Sequence, residues 1–313
     1  MISAIVPVWN GRDFLARLLE SLDAQTARAG EVLAIDNGST DGAPDLARAR
    51  GARVIAMGHN TGFAAAVNRG IREARGEWIA VLNSDVELAP DYFEKLLEAR
   101  AAFATGKIFA PNGLLDATFD LTVRGFTTWR AGSGMPDGPP FDTARPITAA
   151  PLTAALLRSD LFARVGLLDE SFESYLEDVD FGLRCTANRI IGLYVPEARA
   201  VHAGSGSLGR WHPTVVRHIS RNQIFLAARY ARARDFWRIL VAQTLWGAVA
   251  ARHGTGLAWL RGKLEGLRRF SAIRQNAPDV GPDVLEQFLR TNEAFIREGA
   301  HDRYWRMYFI LTR

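Results

Sequence analysis

The feature that most constrains this chain is the regular alternation of short apolar runs with helix-period segments over its first hundred residues. Ser3–Val8 (SAIVPV) reads as a buried strand, and residues 12–25 follow with helical spacing through Phe14, Leu15, Leu18, Leu19 and Leu22. Glu31–Ile35 reads as a second strand, followed by the turn DNGSTDG and a helix near 43–50. Arg53–Met57 is a third strand and Phe63–Ala74 a helix; Glu77–Leu82 (EWIAVL) is a fourth, ending at NSD, with a helix over 90–102. Such alternation predicts parallel βαβ units in a doubly wound α/β sheet. Ligands of such sheets sit beyond the carboxyl ends of the strands. Three polar clusters fall there: WNG, DNGSTDG and NSD.

Residues 104–146 read as irregular, with GSGMPDGPP (132–140) a loop by its turn residues. An apolar stretch at 147–157 follows, then ESYLEDVDFGLR (173–184), then the strand-like GLYVPEARAVH ending at His202, and helix from about 214. With 313 residues, 48% hydrophobic and 23% charged, the chain can bury a sizeable core. One cysteine, Cys185, excludes an intrachain disulfide and a cysteine-based zinc site. The N-terminus lacks the pattern of a signal peptide, and no uncharged apolar run reaches spanning length, so a reducing, cytoplasmic location is expected.

Several motifs carry chemistry. GSGSLG (204–209) matches the dinucleotide fingerprint in letters only, because RWHP follows where a helix should open. DNGSTDG is a turn with a helix cap, or a place where Asp36 accepts hydrogen bonds from a base or ribose. Asp85 of NSD is a helix cap, or a carboxylate placed to bind a divalent cation that bridges a diphosphate. That cation needs a second ligand, for which His202 is the candidate; its alternative is a structural histidine. HNTGFAAAVNRG (59–70) sets Asn60 and Gly62 at a helix start and Asn68 within it, either near a phosphate or sugar or simply in packing. In the acidic run, helical spacing lets Glu177, Asp180 and Arg184 share a stripe and neutralise one another. Asp178 points about 100° away from Glu177, toward the side of Gly182. It is the carboxylate that packing leaves over.

In this order, IVPVWNG, DNGSTDG, NTGFAAAVNRG, VLNSD, YLEDVDFGLR and HAGSGS resemble the family-two inverting glycosyltransferases with a GT-A fold, nearest to the bacterial rhamnosyltransferase branch of cell-envelope polysaccharide synthesis. The likeness covers roughly residues 2–225. It implies a Rossmann-like, mostly parallel central sheet flanked by helices over 1–225. Within this, a nucleotide-sugar half spans about 1–103 and an acceptor and base half about 104–225; a helical extension spans 226–313. It implies donor binding by Pro7, Val8, Trp9, Asn10, Asp36, Asn37, Ser39, Asn60, Gly62, Asn68, Asn83 and Ser84. Asp85 and His202 would hold Mg²⁺ or Mn²⁺, with Asn83 replacing the first acid of the family's D-x-D. Asp178 stands where the family has its general base, supported by Glu177, Asp180 and Arg184. The implied reaction moves a sugar from a nucleotide-sugar donor, dTDP-rhamnose or a UDP-sugar, to a hydroxyl of a cell-envelope glycan or lipid-linked acceptor. The alternative is a nucleotide-sugar-binding protein of the same fold without turnover.

Charge separates the tail from the body: residues 231–313 hold 14 Lys+Arg against 8 Asp+Glu. Within 236–274 an apolar segment is followed by six basic residues against Glu265 alone. This pattern suits packing or self-association into a homo-oligomer, or peripheral docking on an anionic membrane at the inner face of the cell membrane. Nucleic-acid binding rests on the basic tail alone and is not expected.

Overall fold

The structure, a computed structural model, describes residues 1–204, 209, 211–278, 282–300 and 302–313. The chain forms two compact units: Met1–Asp120, Arg130–Glu173 and Ile190–Ser207 make the first, and Leu121–Trp129, Ser174–Arg189 and Leu208–Arg313 the second. The boundary expected between residues 225 and 226 falls inside a helix, Pro213–Tyr230.

The first unit opens as predicted, with β1 (Ile2–Val8), α1 (Arg12–Asp23), β2 (Glu31–Asp36), α2 (Ala43–Ala49), β3 (Arg53–Ala56), α3 (Phe63–Glu73) and β4 (Trp78–Leu82). It continues through β5 (Val86–Leu88), α4 (Tyr92–Glu98), β6 (Phe103–Phe109) and β7 (Leu115–Ala117). Next in the chain is a small hairpin of β8 (Asp120–Thr122) and β9 (Thr128–Arg130), whose residues 121–129 belong to the second unit. The first unit then resumes with β10 (Arg145–Ile147), β11 (Ala154–Arg158), α5 (Asp160–Val165) and β12 (Gly192–His202). The main sheet runs β10-β12-β6-β11-β4-β1-β2-β3. β3, β2, β1 and β4 are mutually parallel, with Ile5 opposite both Leu33 and Val81. β11 lies antiparallel to β4 and β6, and β12 parallel to β6, so β10 and β11 alone oppose the common direction along that path. β1 is buried on both faces, which is why its sequence is a continuous apolar run rather than an alternation. Leu15, Leu18, Leu19 and Leu22 of α1 form the buried stripe that covers this sheet.

One expectation is overturned here. Residues 104–146 are not uniformly irregular: β6 is an interior strand of the main sheet. Its apolar run is broken by Thr105, Gly106 and Lys107. Lys107 is nevertheless 2% exposed and paired with Asp137, and a Cβ on Gly106 would stand 2.1 Å from the Ala198 carbonyl oxygen.

The second unit is helical: α6 (Glu177–Ala187), α7 (Pro213–Tyr230), α8 (Phe236–Arg252), α9 (Gly256–Gln275), α10 (Pro282–Gly299) and α11 (Arg303–Leu311). α7 and α9 pack closely because α9 presents glycines to α7. A Cβ on Gly262 would meet the Arg217 carbonyl oxygen at 2.2 Å, and one on Gly266 would meet Ile224 at 2.7 Å. Among the described residues, no helix is long and apolar enough to cross a membrane.

Candidate active site

β4 ends at Leu82 and the chain turns through Asn83 and Ser84 into β5, which pairs antiparallel with the end of β12. The register sets His202 opposite Val86, and the amide of Ala203 donates to the Asp85 carbonyl at 2.9 Å. Backbone pairing thus delivers the two residues that the sequence placed 117 positions apart. Asp85 Oδ1 lies 3.1 Å from His202 Nε2, and both side chains are largely enclosed. On the other side of the ring, His202 Nδ1 lies 2.9 Å from Asp116 Oδ2. Burial alone would depress the imidazole pKa, but the bonds and charges of Asp116 and Asp85 outweigh it and push His202 up to about 9.

Asp116 was not foreseen. β7 pairs with β6 as Phe109 to Leu115 and Ile108 to Ala117, so Asp116 is the extra residue of a β-bulge. Bulges re-aim side chains in this way. A three-residue strand in a stretch that reads as irregular leaves no periodic signal, and a lone Asp no motif.

The donor set at this point is one carboxylate oxygen and one imidazole nitrogen, aimed at each other across a hydrogen-bonding distance. Such a mixed O/N pair fits a hard or borderline divalent cation. Among the described residues no group of three or more His, Cys, Asp or Glu is arranged to enclose a metal by itself. Asp85 and His202 would hold such a cation through one oxygen and one nitrogen, and the rest of its ligands would have to come from outside these two side chains.

The residues implied in donor binding divide by what their side chains already do. Asp36 closes β2, and its carboxylate accepts from the Ser39 amide at 2.9 Å. Asn10, left-handed at φ 61°, accepts from the Thr40 amide at 2.9 Å, and its own amide donates to Ser39 Oγ at 2.9 Å. These bonds tie the loop after β1 to the turn after β2. Trp9 is 42% exposed beside them, Pro7 is half-buried, and Val8 is buried in the core. Asn83 and Ser84 are half-buried at the end of β4. Asn37, Asn60 and Asn68 are bound up in the scaffold. Asn37 is buried and donates to Asn60 Oδ1 and to the Gly62 carbonyl, while Asn68 bonds both backbone groups of Leu168 and the Glu170 carboxylate. The start of α3 is likewise occupied, since the Ala64 amide donates to the Glu173 carbonyl at 2.9 Å. Gly62 is required there: its φ is 87°, and a Cβ would stand 2.8 Å from the Glu173 oxygen. Of the glycine motif at 204–209, Gly204 and Gly209 are described; Ser205–Leu208 lie outside the described residues.

In the second unit, the acidic run does begin a helix, and it follows an unusual turn. Tyr175 and Leu176 adopt left-handed backbone conformations at φ 71° and 68°. Each costs an L-residue roughly 1–2 kcal/mol, so the turn must be held from outside. Asn222 of α7, buried, holds it by donating to the carbonyls of Ser174 at 3.0 Å and Tyr175 at 2.7 Å. Within α6, Asp180 is fully buried and bonded to Arg184 at 3.0 Å, Arg229 at 2.7 Å and the Tyr230 hydroxyl at 2.9 Å. Arg184 meets it at i,i+4 as the spacing predicted; Arg229 and Tyr230, from α7, were not foreseen. Glu177 is buried. Asp178 is half-buried, with Oδ1 accepting from the Val179 amide at 2.8 Å. It is the member of the acidic trio that burial has not enclosed.

Comparison with known proteins gives this geometry a context. Residues 3–111 match Glycosyl transferase family 2. The chain is 33% identical over 270 residues to the N-acetylglucosaminyl-diphospho-decaprenol L-rhamnosyltransferase of Mycobacterium tuberculosis, covering 76% of this chain and 87% of the relative. Its fold is similar to GalNAc-T7 solved with UDP, GalNAc and Mn²⁺, with TM-score 0.64 and 13% identity over 96% of this chain and 57% of that one. It is also similar to a mannosyltransferase from Pyrobaculum calidifontis solved with GDP-Man and Mn²⁺, with TM-score 0.55 and 16% identity over 99% of this chain and 84% of that one. A sheet of GT-A type, the ordered motifs along it and a near-full-length relative at this identity lead to one assignment: the chain is a glycosyltransferase and belongs to family 2.

Proposed function

We propose that the protein transfers a sugar, with inversion, from a nucleotide-sugar donor to a hydroxyl of a lipid-linked or cell-envelope glycan acceptor, with a divalent cation at Asp85 and His202. The observation that carries this reading is the facing pair of Asp85 carboxylate and His202 imidazole, with Asp116 behind the ring. The mycobacterial relative, named for rhamnosyl transfer to a diphospho-decaprenol-linked sugar, supports a rhamnosyl donor, for which we propose dTDP-rhamnose, and a polyprenyl diphosphate-linked acceptor. A bound Mg²⁺ or Mn²⁺ supplies charge to offset the negative charge that builds on a departing diphosphate.

The remaining work falls to side chains. Asp178 takes the proton of the acceptor hydroxyl as its oxygen bonds to the anomeric carbon. The bond from that carbon to the diphosphate oxygen breaks, and the nucleoside diphosphate leaves with the electron pair. Attack from the opposite side inverts the anomeric centre. A positioned base contributes about 10²–10⁴ in rate. Asp180 with Arg184, Arg229 and Tyr230 fixes α6, and Glu177 is buried in it. Asp116 acts through His202 as a positioning residue: an acceptor on Nδ1 fixes the tautomer that leaves Nε2 for the cation.

The test is nucleoside diphosphate release from a panel of dTDP-, UDP- and GDP-sugars with Mg²⁺ or Mn²⁺, beside Asp178→Asn. Metal-dependent release that falls by about 10²-fold or more in the variant, with donor affinity kept, is the expected result. Release unchanged in Asp178→Asn would remove the base assignment. Donor bound but never turned over, even with a polyprenyl-linked acceptor, would favour a binding protein.

A further inference from the structure

α9 has two unlike sides. Ala258, Gly262, Lys263, Gly266 and Ile273 are buried, and the two glycines meet α7. On the other side Leu257 is 74% exposed, Leu260 45%, Leu264 45% and Leu267 57%. At 100° per residue these four leucines fall within an arc of about 80°, with Arg261 and Arg268 along one flank about 20–40° beyond its edge. Arg261 and Arg268 are exposed and have no acidic partner among the described residues. The nearest acid of this helix, Glu265, is turned to Arg217 at 3.6 Å. A leucine stripe with cations and no exposed acid on its border is unfavourable in water and unsuited to face its own copy, because the arginines of both copies would be drawn into one apolar contact.

From this we infer that α9 is a membrane-docking surface that lies in the plane of an anionic bilayer, leucines among the acyl chains and Arg261 and Arg268 among the headgroup phosphates. Apolar burial and charge complementarity work together in such helices. The helix is too short in apolar character to cross. The proposal does not depend on the transfer chemistry, since docking needs neither donor nor acceptor; a failure here leaves release assays with soluble substrates untouched.

The experiment is flotation of the full chain with vesicles of phosphatidylcholine alone or with about 30 mol% phosphatidylglycerol, at about 0.1 M salt. Three variants run beside it: Leu260→Gln/Leu264→Gln, Arg261→Gln/Arg268→Gln, and Trp237→Gln on α8, where a different exposed apolar residue sits. All change exposed positions, and thermal melting checks that they fold. The expected result is binding to the anionic vesicles alone. Binding falls about tenfold or more in the leucine variant, and by about fivefold per arginine in the arginine variant. Loss in Trp237→Gln with the leucine variant unaffected would overturn the assignment to α9. No flotation of the wild-type chain, or a concentration-dependent dimer abolished by Leu260→Gln/Leu264→Gln, would overturn membrane docking altogether.

Discussion

The His202 ring is held at both nitrogens, and the two bonds have different consequences. Asp85 shares the side of the ring proposed for the cation, whereas Asp116 fixes which nitrogen faces it. Replacing Asp116 with Asn keeps the shape and removes the charge that orients and enriches the imidazole. Losing the group that orients a metal-binding histidine costs about 10–100-fold in metal affinity. We expect Asp116→Asn to weaken Mn²⁺ binding by that factor in direct titration by electron paramagnetic resonance with nucleoside diphosphate present, with Asp116→Glu recovering part of it. Equal Mn²⁺ affinity in all three proteins would make Asp116 structural only. Asp85 and His202 were legible in the sequence because each ends a strand-like run, and strand ends are where this fold gathers ligands. Asp116 was not, because a bulge is an error of register that no single-strand pattern encodes. Asn37 and Asn68 carry a second signal that the sequence does not show: their amides donate to carbonyls and a carboxylate of the scaffold.

At the scale of elements, helices α1 to α4 and strands β1 to β4 were legible because their apolar periods are uninterrupted, while β6 was hidden by its own lysine. The ammonium of Lys107 is buried inside the main sheet and depends on Asp137 from the 132–140 loop. The hydrogen bond from Lys107 is the main reason that the Asp137 carboxyl is held below its ordinary range; burial opposes it, and the charge of Lys107 adds to it. A carboxyl whose native pKa is depressed adds stability that is complete above its unfolded pKa, about 3.9, and is lost as pH falls through the lower native value. Asp137→Asn should therefore lower stability by about 2–3 kcal/mol at pH 7, toward the low side for a stranded buried charge because Asp137 itself is about one-third exposed. Urea unfolding at pH 7, 5 and 3 checks this. The gap between wild type and variant should be equal at pH 7 and 5 and should shrink only toward pH 3. A gap already closed at pH 5 would show that Lys107 does not hold the carboxyl down.

At the scale of the whole molecule, the two units are not consecutive in sequence, and this decides what can be cut. Residues 121–129 and 174–189 leave the first unit to join helices that come far later in the chain. A sequence pattern shows where strands and helices alternate; it does not show that a nine-residue hairpin segment and α6 are claimed by distant helices. The partners are specific. Glu293 of α10 receives three bonds from Arg124, one of them from its backbone amide. Asn292 donates to the Thr122 carbonyl, Gln243 of α8 to the Gly125 carbonyl, and Tyr304 of α11 to Thr127 Oγ1. Asp180 needs Arg229 and Tyr230, which lie just beyond residue 225. A fragment ending at 225 strands Arg124, removes two of the three partners of Asp180 and uncovers the α7 surface that α9 buries. Breaking one buried ion pair costs about 3–5 kcal/mol, comparable with the whole stability of many domains. The 1–225 fragment should therefore show no cooperative thermal transition and rapid cleavage around 121–129 and 174–189 in limited proteolysis, while the full chain resists there. For the same reason, loss of membrane binding on deleting the tail would say little, and the single-residue variants of α9 are the informative ones. A 1–225 fragment that melts cooperatively at the temperature of the full chain would instead make the C-terminal helices a separable module, with α6 and its acidic turn able to hold their shape alone.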